Sequence, residues 1–230
     1  ESVKEEVAVE NATKKLVMAT NAEFPPYEYK DGNEYKGIDI DCAKLIASKL
    51  GMELEIMDIA FDSIIPTVMS GKADFAMAGM TVTEDRKENV DFTDTYQKAV
   101  QSVVVTENSD INTVDDLTDK KIGVQTGTTG DIYCTDDFGD ANVERYSKHV
   151  DAIAALKSGK IDAVVVDDQV AIALAGSTDG LKILDTSYAE EEYAIGVKKG
   201  NAEMLSAINA VIKEIKGNGE LAKIVAEYIK

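Results

Sequence analysis

These 230 residues include no tryptophan, one histidine, two cysteines and three prolines, and 24 Lys and Arg stand against 43 Asp and Glu. Each shortage excludes something. Cys42, Cys134 and His149 are too few for a four-ligand metal site of the thiolate and imidazole kind. No HExxH, CxxC or Ser-His-Asp arrangement is available for hydrolytic chemistry. A disulfide scaffold carries more cysteines in a shorter chain, so Cys42, in a helical pattern, and Cys134 are expected as unpaired structural thiols. A formal net charge of -19 opposes nucleic-acid binding, which depends on Lys and Arg clusters that release counterions. It equally repels anionic lipid surfaces. No apolar run approaches the roughly 18–20 residues that span a bilayer. Residues 1–13 are charged and lack an apolar stripe, and read as a flexible N-terminal tether or a frayed end.

What is present is ordinary globular composition, 44% hydrophobic and 29% charged, enough for a real core in one large or two modest domains. Short apolar runs alternate with helical patterns. Leu16–Thr20 reads as a strand. Asp39–Leu50 carries Ala43, Ile46, Ala47 and Leu50 at helical spacing and stops at Gly51. Leu54–Ile59 is a strand, Asp62 an expected N-cap for a helix over Ser63–Ser70, and Phe75–Met80 again strand-like. Such alternation predicts an α/β fold with largely parallel sheets.

The chain also repeats itself. Ser70-Gly71-Lys72-Ala73-Asp74 leads into Phe75-Ala76-Met77-Ala78-Gly79. Ser158-Gly159-Lys160-Ile161-Asp162 leads into Ala163-Val164-Val165-Val166-Asp167. Each copy is helix, glycine stop, tight turn and buried strand. Two αβ turns can look alike by chance; the alternative is two lobes of one design. Ligands of open α/β sheets bind beyond the carboxyl ends of strands, so two such lobes would set Gly79 and Asp167 across one cleft. Strand-like runs at Ser102–Thr106 and Tyr193–Val197 serve as crossings. They predict a discontinuous lobe 1 (14–100 and 194–230) and a lobe 2 (101–193), with closure about the hinge between them.

Thr20–Tyr29 (TNAEFPPYEY), Gly37–Asp41 (GIDID), Phe61–Pro66 (FDSIIP), Gly71–Arg86 (GKADFAMAGMTVTEDR), Val90–Thr93 (VDFT), Gly123–Asp131 (GVQTGTTGD) and Asp162–Asp167 (DAVVVD) occur in this order. With these segments the chain resembles the substrate-binding proteins of polar amino-acid ABC transporters, bacterial solute-binding protein family 3. The resemblance implies a two-lobed periplasmic-binding-protein type II fold, with mixed sheets, flanking helices and two hinge strands. It implies a monomer without cofactor, in the periplasm or on the cell surface as a lipoprotein. Such a protein delivers a free polar L-amino acid to a permease and its ATPase. By position, Arg86 matches the arginine that forks onto the ligand α-carboxylate, and Thr81 and Thr129 match further donors to it. Gly79 matches a carbonyl acceptor for the α-ammonium and Asp167 its carboxylate partner. Phe24 and Phe61 match the aromatic walls.

Local chemistry allows these roles and others. Thr83 is a fitting N-cap that places Arg86 in a first helical turn, where it could fork onto a carboxylate or pair with Glu84, Asp85 or Glu88. Gly127-Thr128-Thr129-Gly130 opens a helix whose free N–H groups suit an anion, or is an ordinary turn. Asp167 caps the following helix or faces the ligand. Phe24 and Phe61 stand at strand ends but are also ordinary core residues. Asn21, Glu23 and Gln125 are candidates for reading the ligand side chain, with Asp131 behind them. Relatives that bind basic amino acids often carry an acid near Asn21, which is neutral here; Glu23 could replace it or sit solvated at the rim. The order of expected ligands is arginine or lysine, then glutamine or cystine. His149 aligns with Phe61 in the repeat and is left without a role. The alternatives are a cyclohexadienyl-dehydratase-like enzyme on the same scaffold, or the sensing module of a receptor.

Overall fold

The computed structural model describes residues 14–185 and 187–229. The tether expected over residues 1–13 lies outside the described residues. The chain opens with β1 (Lys15–Thr20), whose Leu16, Met18 and Ala19 are fully buried. An antiparallel ribbon of β2 (Glu23–Phe24), β3 (Glu28–Asp31) and β4 (Glu34–Lys36) follows. α1 (Ile38–Lys49) buries Ile38, Cys42, Ala43, Ile46 and Ala47 on one face. Gly51, with φ 67°, reverses the chain into β5 (Glu53–Asp58), as a left-handed residue after a helix end does.

The expected cap at Asp62 is not used. Phe61–Ser63 form a 3-10 turn, and α2 (Ile64–Ser70) begins after Ser63 with no side-chain cap bond. The tight turn meets a leading donor itself, Ser63 N to Ala60 O at 3.0 Å. The strand expected over Phe75–Met80 shrinks to β6 (Phe75–Ala76), because the chain turns away at Gly79, φ 51°. α3 (Glu84–Asn89) and β7 (Val90–Phe92) complete this part.

β8 (Gln97–Thr106) then runs out of the first sheet's neighbourhood into a second. That sheet is built from β9 (Ile122–Gln125), α4 (Thr129–Phe138), β10 (Val143–Tyr146), α5 (His149–Lys157), β11 (Ala163–Asp167), α6 (Asp168–Gly176) and β12 (Leu181–Ile183). β13 (Ala189–Tyr193) pairs antiparallel with the start of β8, from Ala189 opposite Gln101 to Tyr193 opposite Gln97. Ala194 and Ile195 carry the chain back to β14 (Gly196–Lys198) in the first sheet. The run Tyr193–Val197 is thus the end of one strand and the start of another.

The two sheets share one plan. Their orders are β5-β1-β6-β14-β7 and β10-β9-β11-β8-β12. The first three strands in each are parallel and the fourth is antiparallel to the third. β6 and β11, the two copies of the sequence repeat, hold the same third place. The architecture is therefore two α/β lobes joined by the β8–β13 ribbon. α7 (Ala202–Gly217) and α8 (Glu220–Tyr228) return to the first lobe. There Ile208, Ile212 and Ile215 are fully buried in the same core as α1, each contributing about 1.5–3 kcal/mol of burial. Cys42 and Cys134 are both buried and free.

Candidate functional site

The carboxyl ends of the inner strands meet between the lobes. Asn21 follows β1 and Gln125 ends β9, equivalent strands of the two sheets, and Gln125 Nε2 donates to Asn21 Oδ1 at 2.8 Å. Gln125 also donates to Ser147 O at 2.9 Å. Behind this contact lies a partly open pocket between the lobes. Phe24, Gly79, Thr81 and Arg86 line it from the first lobe and Thr129 from the second. Phe61 forms part of its wall.

Arg86 is where the cap chemistry puts it. Its own N–H donates to the Thr83 hydroxyl at 3.2 Å, which fixes the guanidinium in the first turn of α3. Nη1 donates to Thr81 O at 2.8 Å and Nη2 to Gly127 O, in the other lobe, at 3.1 Å. The guanidinium lies 5.4 Å over the Phe61 ring centroid, a cation–π distance. Glu84, one of its possible local partners, pairs with Lys87 instead. Burial pulls the Arg86 pKa down, with Glu191 the leading opposing charge. A buried guanidinium held by two carbonyls and facing a cavity is set up to receive an anion.

The opposite pole is acidic. Gly79 is held by its N–H to Asp39 Oδ2 at 2.8 Å, and Tyr96 OH donates to the same carboxylate. Only glycine fits there: a Cβ would stand 2.7 Å from Phe24 Cε1. Asp167 caps α6 through Oδ1, accepting from Gln169 N at 3.0 Å, and Oδ2 accepts from Tyr193 OH at 2.6 Å. It therefore sits one layer behind the cavity wall, of which Tyr193 is part. Burial pushes Asp167 up to about 7 and Asp39 up to about 6.

Three lining side chains carried no local signal. Glu28 is buried with both carboxyl oxygens unpartnered among the described residues. Burial, then Asp39, Asp167 and Asp58, pushes it well above the usual carboxylate range. Glu191 is 5% exposed; its Oε2 accepts from Thr81 Oγ1 and Gln101 Nε2, each at 3.0 Å, and its Oε1 has no partner among the described residues. Gln101 is the third. Strand alternation was the available clue: counting back two from the buried Tyr193 puts Glu191 on the inner face of β13.

Two candidates lie elsewhere. Glu23 pairs with Lys148 of the other lobe and Asp131 with Arg145; neither lines the cavity. His149 is buried, with its ring centroid 5.6 Å from that of Phe24, and burial pushes its pKa down to about 4. It is a neutral packing group across the cleft. Among the described residues no group of His, Cys, Asp and Glu could hold a metal ion.

Two α/β lobes with a polar pocket between them and a connecting ribbon make the architecture of a small-solute receptor. The chain belongs to the bacterial extracellular solute-binding proteins, family 3, whose model matches residues 16–230. It is 35% identical to the arginine-binding extracellular protein ArtP of Bacillus subtilis (strain 168) over 225 residues, covering 95% of this chain and 88% of that protein. An ancestral arginine-binding protein solved bound to arginine superposes with TM-score 0.90 and 42% identity, covering 94% of this chain and 98% of that one. An ancestral arginine-binding protein solved bound to glutamine matches at TM-score 0.90 and 41% identity, over 95% of this chain and 99% of that one. The ancestral amino acid-binding protein AncCDT-1, a precursor of cyclohexadienyl dehydratase, matches at TM-score 0.87 and 34% identity, covering 94% of this chain and 96% of that one.

Proposed function

We propose that this protein is the extracytoplasmic substrate-binding component of an ABC importer, and that it closes on a free basic amino acid, arginine before lysine, with glutamine next. The observation that carries this reading is the interlobe pocket that gathers Arg86, Thr81 and Gly79 from one lobe and Thr129 from the other. A zwitterion is costly to desolvate unless both charges are met. Arg86, with Thr129 at the start of α4, meets the α-carboxylate. The Gly79 carbonyl meets the α-ammonium, with Asp167 supplying negative charge from behind Tyr193. Phe24 and Phe61 enclose the aliphatic stem. In this reading residues 14–100 with 194–230 form one lobe and 101–193 the other. A lipid-anchored monomer that hands its ligand to a permease and its ATPase fits the family.

The preference for a basic side chain draws on the relatives named for arginine and on the acidic excess of the cavity wall. A thermal-shift screen of the twenty amino acids with ornithine and cystine tests it, because a ligand that binds only the folded form raises Tm. The largest shift is expected with arginine; no shift with any amino acid refutes the reading. The likeness to a dehydratase precursor supports a second reading, in which Glu28, its carboxyl pushed up by burial, serves as a general acid. Turnover of an arogenate-like substrate by the purified protein would establish it.

A further inference from the structure

We propose that Glu191, on the returning hinge strand, is the residue that selects a cationic ligand side chain. The proposal rests on the amino-acid-binding reading and deepens it. Position comes first. Glu191 lines the cavity, is almost wholly buried, and keeps Oε1 without a partner among the described residues. No described cation lies within ion-pair distance of it. Its Oε2 is fixed by Thr81 from the first lobe and by Gln101 from β8, so the free oxygen is held at a set place.

Charge balance comes second. Arg86 and Asp167 match the two charges of a zwitterion and cancel them. Glu28 is driven toward its neutral acid by burial beside Asp39, Asp167 and Asp58. Asp39 is met by the Gly79 N–H and the Tyr96 hydroxyl on both oxygens, whereas Glu191 lines the pocket with one oxygen unmet among the described residues, so closure on a neutral amino acid leaves its charge buried without a counter-ion, at substantial cost. A guanidinium or ammonium on the ligand side chain removes that cost. The acid that Asn21 does not supply at the end of β1 is supplied instead from the hinge. The same placement changes the part of Thr81: its hydroxyl proton is committed to Glu191, so Thr81 orients the selecting carboxylate.

The test is isothermal titration of wild type and Glu191→Gln with L-arginine and with L-glutamine. The variant keeps the shape and can still accept from Thr81. Its affinity for arginine is expected to fall at least about tenfold, equivalent to about 1.4 kcal/mol, while its affinity for glutamine holds or improves. Retained glutamine binding shows that the variant folds and closes. Glu191→Asp, which keeps the charge, is expected to recover part of the arginine preference. An unchanged arginine-to-glutamine affinity ratio, or equal losses for both ligands, overturns the proposal. Wild-type protein that binds neither ligand overturns the amino-acid reading itself.

Discussion

Replacing Arg86 with alanine separates ligand binding from folding, because the structure gives the residue different weight in each. In the fold, Arg86 contributes two hydrogen bonds to carbonyls, one of them across the cleft to Gly127, and no ion pair with any described carboxylate. Each such bond is worth about 1.5–3 kcal/mol to a charged donor, and relief from burying the guanidinium offsets much of the loss. About 1–2 kcal/mol net lowers Tm by only about 2–8 °C in a protein of this size. In the proposed binding mode Arg86 is the cation for the ligand α-carboxylate, and truncating one partner of a buried charge pair costs about 2–5 kcal/mol. At about 1.4 kcal/mol per decade that is roughly thirty- to several-thousand-fold in Kd. The near-complete burial of Arg86 favours the upper part of that range; water entering the space left by truncation favours the lower. We expect a loss of about a hundredfold or more, read by isothermal titration with arginine, alongside a ligand-free melting curve close to wild type. Arg86→Lys keeps the charge but loses the fork, and falls between. If Arg86→Ala binds within fivefold of wild type, the site is not where we have put it.

In the proposed site Asp167 sets a pH dependence. Its folded pKa, about 7, lies above the ordinary 3.8, so its contribution to ligand-free stability is full below about 3.8 and is lost as pH rises toward 7. Ligand binding runs the other way, since an ammonium favours the ionised carboxylate. Affinity should fall about ten- to thirtyfold from pH 8 to pH 5.5, and Asp167→Asn should flatten that profile; an unchanged slope in the variant refutes the role. Gly79→Ala places a methyl 2.7 Å from Phe24 Cε1 at a φ of 51°. It should lower Tm, at a cost of about 1–3 kcal/mol, and abolish the arginine-induced shift; a wild-type response would show that the Phe24 wall is not needed.

Much of this architecture was legible along the chain because it is written locally. Gly71 and Gly159 are left-handed stops that reveal both copies of the repeat, and the sheets place those copies alike. Thr83 as a cap and Arg86 three residues later need only one helical turn to meet. Asp62 misled because a good capping residue says nothing of whether a 3-10 turn precedes the helix. Glu23 misled because its partner, Lys148, is 125 residues away. Glu191 and Glu28 escaped for a related reason. Glu191 lies in an acidic run and Glu28 between two tyrosines, and only tertiary packing shows that either carboxylate is buried. Nothing in the run Glu190-Glu191-Glu192 marks the middle residue except the period of the strand.

The ribbon of β8 and β13 has a kinetic meaning. The pocket lies between the lobes, so parting them would widen the way out for a bound amino acid. Contacts that span the cleft among the described residues include Gln125 to Asn21, Lys148 to Glu23, Arg86 to Gly127, and His149 against Phe24. Lys148, Glu23 and His149 take no part in lining the cavity, yet they help hold the door. Residence time is therefore tunable from outside the pocket. Loosening the Lys148–Glu23 pair would quicken release without altering which amino acid is chosen, leaving selection to the cavity and timing to its rim.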